Sequence, residues 1–185
     1  MNSQNLNPQT HSDSQSEVQV ASHPLEALSF PLWGSRLIEA SAGTGKTWTI
    51  AALYVRLVLG HGEQCEKDEE GEQGLRPLMP HDILVMTFTR AATRELSDRI
   101  RARLTEAAQV FRSPDLLDAK DTFLKGLLSD YPDKSSREKA AYRLALAAQA
   151  MDDAAVYTID AWCQRMLREH AFDSGNLFEE SLVAD

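Results

Sequence analysis

The sequence predicts an α/β fold, a parallel sheet with crossover helices, and three observations carry that prediction. A glycine-rich turn separates an apolar run from an amphipathic pattern at Arg36 to Gly60. A continuous apolar run, ILVMTF, precedes a second amphipathic stretch at Ile83 to Val110. A third apolar run, Ala154 to Ile159, leads into a third helical pattern. Strand, loop and helix in repeated alternation are the pattern of parallel strands joined by crossovers.

Arg36 to Ala40 reads as a short buried strand. The helix opened by Lys46 places Ile50, Leu53, Tyr54, Leu57 and Val58 on one apolar face and ends near Gly60. The segment 61–80, rich in Glu, Gln, Gly and Pro and without periodicity, reads as a polar loop. Ile83 to Phe88 has the unbroken apolar character of a strand covered on both faces. In Ala91 to Val110 the spacing of Leu96, Ile100, Leu104 and Ala107 or Ala108 predicts a helix. Asp115 to Leu128 and Ser135 to Ala150 predict two more, the second opened by Ser135 with Glu138 at capping-box spacing. Ala154 to Ile159 is the third strand, and Ala161 to His170, with Trp162, Met166 and Leu167 sharing a face, the last helix. Phe172 to Asp185 has no pattern that finishes a domain. Three strands make a small sheet for this class, so the chain reads as part of something longer.

At 185 residues the chain suits one ordinary domain. Residues 1–24 are polar, with neither the basic start nor the apolar core of a signal peptide, and read as a disordered tail on a cytoplasmic protein. A mean hydropathy of -0.36 and no apolar run near the roughly 20 residues of a span argue against a membrane. Cys65 and Cys163 form no metal-binding spacing and read as buried or idle thiols; the histidines are scattered singly, so no zinc site is expected. A net charge of -9 weighs against a basic nucleic-acid coat. Between 90 and 112, however, six arginines face three acids, so one segment is basic within an acidic chain.

ASAGTGKT, Ala40 to Thr47, follows the phosphate-loop pattern G-x-x-x-x-G-K-[ST] except that Ala40 stands at the first glycine. That position ends a strand and needs only a small side chain. Gly45 is the one that must let phosphate approach the main chain. Ser41, Ala42, Gly43, Thr44 and Gly45 supply small residues and backbone N–H groups. Lys46 would reach the β- and γ-phosphates of ATP, and Thr47 would offer its hydroxyl to Mg²⁺. Thr87, Phe88, Thr89 and Arg90 end the second strand, where hydroxyls and an arginine could hold backbone phosphates and Phe88 could stack on a base. The alternative is that Phe88 is core, the threonines cap a helix and the arginines are solvated.

ASAGTGKT, TFTRAATRELSDRI (Thr87 to Ile100) and YTIDAWCQRML (Tyr157 to Leu167), in that order, resemble motifs I, Ia and Ib of the UvrD/Rep-type superfamily 1 DNA helicases, and within them the exodeoxyribonuclease V branch. The resemblance runs from about Pro24 to the last residue. It implies the N-terminal part, residues 25–185, of a first RecA-like P-loop NTPase motor domain. ATP and Mg²⁺ would sit at Ala40 to Thr47, and single-stranded DNA, fed from a duplex end, would pass over Thr87 to Arg90 and Thr158 to Asp160. It further implies 3′ to 5′ movement in a complex with gamma and alpha subunits, a C-terminal exonuclease domain elsewhere, and a role in double-strand break repair and recombination. Asp160 departs from the family's histidine, and without the family it could be read as a Mg²⁺-holding aspartate at a strand end. No D-E-x-x acidic motif placed to complete Mg²⁺ coordination and position the attacking water is found, so this chain by itself is not expected to turn over ATP. A small nucleotide-kinase-like phosphotransferase and a non-hydrolysing nucleotide-binding module are the other readings the residues allow.

Overall fold

Two three-residue strands, β1 (Val85–Thr87) and β2 (Val156–Thr158), pair in parallel in the computed structural model, with Val85 opposite Val156, Met86 opposite Tyr157 and Thr87 opposite Thr158. The structure describes residues 24–41, 43–62 and 76–170. Residues 1–23 of the expected tail, 63–75 of the polar loop, and Phe172 to Asp185 fall outside them; Pro24, 61–62 and 76–79 have no helix or strand, and a short 3₁₀ turn follows at Pro80–Asp82.

The first of the three expected strands is absent. Arg36 to Ala40 is without regular structure and Leu37 is 85% exposed. A strand exists only through a ladder with a neighbour, and the two-stranded sheet of the described residues does not extend to this segment. The other strands are also shorter than their apolar runs. Met86 and Phe88 are exposed, so the ILVMTF run is not covered on both faces.

The helices are α1 (Lys46–Leu59), α2 (Arg90–Arg112), α3 (Thr122–Ser129), α4 (Lys134–Gln149) and α5 (Ile159–Glu169). α2 runs along α1 and α4. Its Leu96, Ile100, Leu104, Ala107 and Ala108 are buried as their spacing requires, together with Phe111. α4 meets it with Ala140, Ala141, Leu144, Ala147 and Ala148, small residues that let the backbones approach. α1 contributes Ala51, Ala52, Tyr54, Val55 and Val58; its buried face is rotated from the expected one, and Ile50 is exposed. Each fully buried Leu or Ile adds about 1.5–3 kcal/mol, and the core of α1, α2, α3 and α4 is where that burial is concentrated.

Local chemistry sets the boundaries. Gly60, at φ 66°, ends α1, with its N–H donating to Leu57 O and that of His61 to Arg56 O. The stretch expected as one helix from Asp115 is a 3₁₀ turn at Pro114–Leu116 and then α3, capped by Asp121. α4 begins one residue before Ser135 because Asp133 is its cap, accepting from the Ser136 N–H at 2.7 Å, and not through a Ser135–Glu138 box. Buried Arg56 donates to Ala27 O (2.8 Å), Phe30 O (2.6 Å) and His61 Nδ1 (3.1 Å). That leaves His61 Nε2–H to donate to Asp130 at 2.8 Å, which joins the N-terminal segment, α1 and the end of α3. Cys163 is exposed on α5, not buried.

Candidate functional site: a phosphate loop and a sheet edge

Gly43 and Gly45 both take positive φ, 79° and 89°, values that side chains oppose. Beyond the adjacent residues, no atom lies within 4 Å of where a Cβ on either would stand, so main chain there opens onto free space. The Thr44 hydroxyl donates to Ser41 O at 2.8 Å and closes the turn, and the Thr49 N–H to Gly45 O at 2.9 Å starts the helix. Lys46 Nζ is exposed and donates to Ala40 O at 3.1 Å and to Ser41 O. Thr47 is half-buried beside it, and Ala42 lies outside the described residues.

The start of α1 differs from that of every other described α-helix. Thr89 caps α2, Asp121 caps α3, Asp133 caps α4 and Thr158 caps α5, each through its side chain. α1 has no side-chain cap and no acid in its first turn. Its N–H groups and the positive end of its dipole therefore remain for an external anion. They open on a cleft of about 830 Å³ walled by Gly43, Gly45, Lys46, Thr47, Trp48 and Ala51 on one side and by α2 and Asp121 on the other. Clefts of that size hold nucleotide-sized ligands.

The far wall carries residues that sequence reading missed. Arg103, only 7% exposed, donates to Asp121 Oδ2 and Oδ1 (2.6 and 3.1 Å) and to Glu106 Oε2 (2.7 Å). Burial alone would raise the Asp121 carboxyl, but hydrogen bonds from Arg103 and from the Leu124 N–H, with the Arg103 charge, outweigh it and hold the group below the ordinary carboxylate range. For Arg103 burial favours the neutral form, and the bonds and charges of Asp121 and Glu106 reverse that. The signal was available: Arg103 stands three residues after Ile100 and beside Leu104, on the stripe that had to be buried.

At the sheet edge the register sets Thr87 beside Thr158, so the loops beginning there are neighbours. The hydroxyls expected to hold phosphate are used internally. Thr87 Oγ1 bonds Thr93 Oγ1 (2.6 Å) and donates to Thr89 O (3.1 Å), while Thr89 and Thr158 accept from Ala92 N (3.1 Å) and Ala161 N (3.2 Å). Phe88, by contrast, is 90% exposed and Arg90 is exposed, so neither is core. A groove of about 240 Å³ beside them is lined by Arg90, Arg94, Tyr157 and Thr158 among others. Asp160 is exposed in the first turn of α5, accepts from Gln164 Nε2 at 3.3 Å, and does not line the phosphate-loop cleft. A carboxylate there favours its own helix dipole.

A family profile described as the UvrD/REP helicase N-terminal domain matches residues 22–185. The chain is 49% identical over 162 residues to the RecBCD enzyme subunit RecB of Escherichia coli (strain K12), covering 87% of this chain and 12% of that protein. It is 43% identical over 163 residues to the RecB subunit of Haemophilus influenzae, covering 88% and 13%, and 31% identical over 150 residues to that of Mycolicibacterium smegmatis, covering 79% and 12%. The chain thus spans about one eighth of the length of the relatives it matches.

Proposed function

The chain belongs to the UvrD/REP helicase family, and from that premise we propose that it is the ATP-binding portion of a RecB-type DNA motor, its first RecA-like domain in part. The observation that carries the nucleotide site is the uncapped start of α1 behind two positive-φ glycines, opening on a nucleotide-sized cleft. Backbone N–H groups of Gly43 to Thr47 would take the phosphates, Lys46 would supply the point charge and Thr47 the hydroxyl for Mg²⁺. When bound, Mg²⁺ neutralises charge on the β- and γ-phosphates.

Single-stranded DNA is assigned to the joined loops at Thr87 to Arg90 and Thr158 to Asp160. Exposed Phe88 would stack on a base and Arg90 would face the backbone, while the threonines shape the loops by capping their helices. Asp160 is a poor phosphate neighbour, and its bond to Gln164 suits a structural role. For the whole protein the same reading gives an ATP-dependent helicase and exonuclease subunit, with gamma and alpha partners, acting in the cytoplasm on duplex ends in double-strand break repair. No helix among the described residues is long and apolar enough to cross a membrane. None of the apolar runs read as strands ends in a pair of acids, and Asp68 and Glu69 fall in the segment read as a polar loop, so the chain would bind ATP without appreciable turnover. The kinase-like alternative loses ground because Arg103 is engaged with Asp121 and Glu106, and Arg101 with Asp152.

The test is calorimetric titration of the chain with Mg-ATP, beside Lys46→Ala and an ATPase assay with and without single-stranded DNA. Binding in the wild type, loss in the variant at an unchanged melting temperature, and negligible turnover are expected. Equal binding by both proteins would refute the role of Lys46. DNA-stimulated hydrolysis by residues 1–185 would refute the claim of incompetence.

A further inference from the structure

On the reading that the cleft takes a nucleotide, we propose that Arg103 is a positioning residue, clamped by Asp121 and Glu106 so that it holds the Trp48 indole as the wall against which the base lies. Trp48 follows Thr47 directly, lines the cleft and is 48% exposed, so much of the indole is open to a ligand. The Arg103 guanidinium carbon lies 5.5 Å from the centroid of that indole and 5.2 Å from that of the buried Phe123, and the two rings meet edge to face at 5.9 Å. A cation against two aromatic faces is an attractive arrangement.

Stability alone gives little reason for it. Buried ion pairs are commonly matched or bettered by apolar residues of the same volume, and the Arg103 Nε–H is buried without a hydrogen-bond partner. What an apolar residue could not do is fix orientation. The bidentate bond to Asp121 sets the guanidinium plane, and Asp121 is itself tied down by capping α3 through the Leu124 N–H at 2.9 Å. The clamp thus passes the rigid start of α3 to Trp48 through one planar cation.

Inorganic tripolyphosphate has the phosphates of ATP and no base, so comparing the two ligands isolates the wall. Titration of the chain with each, in Mg²⁺, is expected to show that Trp48→Ala weakens ATP about tenfold, the order of one base-aromatic stack, and leaves tripolyphosphate unchanged. Arg103→Lys keeps the charge but loses the planar fork, and is expected to weaken ATP by about threefold, also sparing tripolyphosphate. ATP that still binds Trp48→Ala at full affinity overturns the wall. An Arg103→Lys effect that is absent, or equal for the two ligands, overturns the positioning role and leaves a structural ion pair. Should Arg103→Lys melt below the assay temperature, Asp121→Asn slackens the same clamp and carries the same expectations. Lys46→Ala separates the premise: if it alters neither ligand, the phosphate-loop reading itself fails, whatever Trp48 does.

Discussion

Replacing Asp121 probes three contacts at one carboxylate: the bidentate bond to Arg103, the cap on α3 and the charge that keeps a buried cation compensated. Removing one partner of a buried ion pair costs about 3–5 kcal/mol. Here the half-exposed Glu106 still holds Arg103 at 2.7 Å and the Asp121 side chain is itself 14% exposed, so the lost charge should cost about 2 kcal/mol. Asparagine caps a helix about as well as aspartate, so Asp121→Asn isolates that quantity, whereas Asp121→Ala also loses a cap of about 1 kcal/mol and totals about 3. At about 2–4 °C per kcal/mol for a chain of this size, the alanine variant should melt about 6–12 °C below the wild type. Urea unfolding followed by circular dichroism measures both variants. Because the folded-state carboxyl is depressed, its contribution is present above the unfolded carboxylate pKa of about 3.9 and is lost as pH falls through the lower folded value. The gap between wild type and Asp121→Asn should therefore close in acid below about pH 4. Equal costs for the two variants would refute the cap; an asparagine variant within about 0.5 kcal/mol of wild type at neutral pH would refute the compensating role of the charge.

Leu104 is fully buried where α2 meets its neighbours, and Leu104→Ala should cost about 2–5 kcal/mol by urea titration. Gly126 lies inside α3, where alanine normally stabilises by up to about 1 kcal/mol. A Cβ there would come within 2.4 Å of Leu28 Cδ2, so Gly126→Ala should show no gain in melting temperature. Phe88→Ala should leave stability within about 0.5 kcal/mol, because the ring is exposed. The same substitution should weaken single-stranded DNA binding by about 1–3 kcal/mol in fluorescence anisotropy.

What could be read from the chain itself was whatever depends on neighbours in sequence. The buried stripe of α2, from Leu96 to Ala108, follows from a repeat of three and four residues. The phosphate loop follows from ASAGTGKT, since the glycines at 43 and 45 are needed for backbone conformations that only they adopt cheaply. The helix-strand alternation was legible for the same reason. Tertiary structure decided everything that needed a partner from elsewhere. Arg36 to Ala40 has strand composition but no ladder, because composition cannot supply the second backbone. Ile50 turned outward and Phe88 stayed in solvent, since a short apolar run does not say which of its faces is covered. Asp133, not Ser135, took the cap of α4, a choice between two good caps made by where the chain enters the helix. Arg103 is the plainest case: its place on the buried stripe of α2 was legible from its spacing to Ile100, but only the approach of α1 and α3 set it between Trp48 and Phe123 and brought Asp121, 18 residues away, to compensate it.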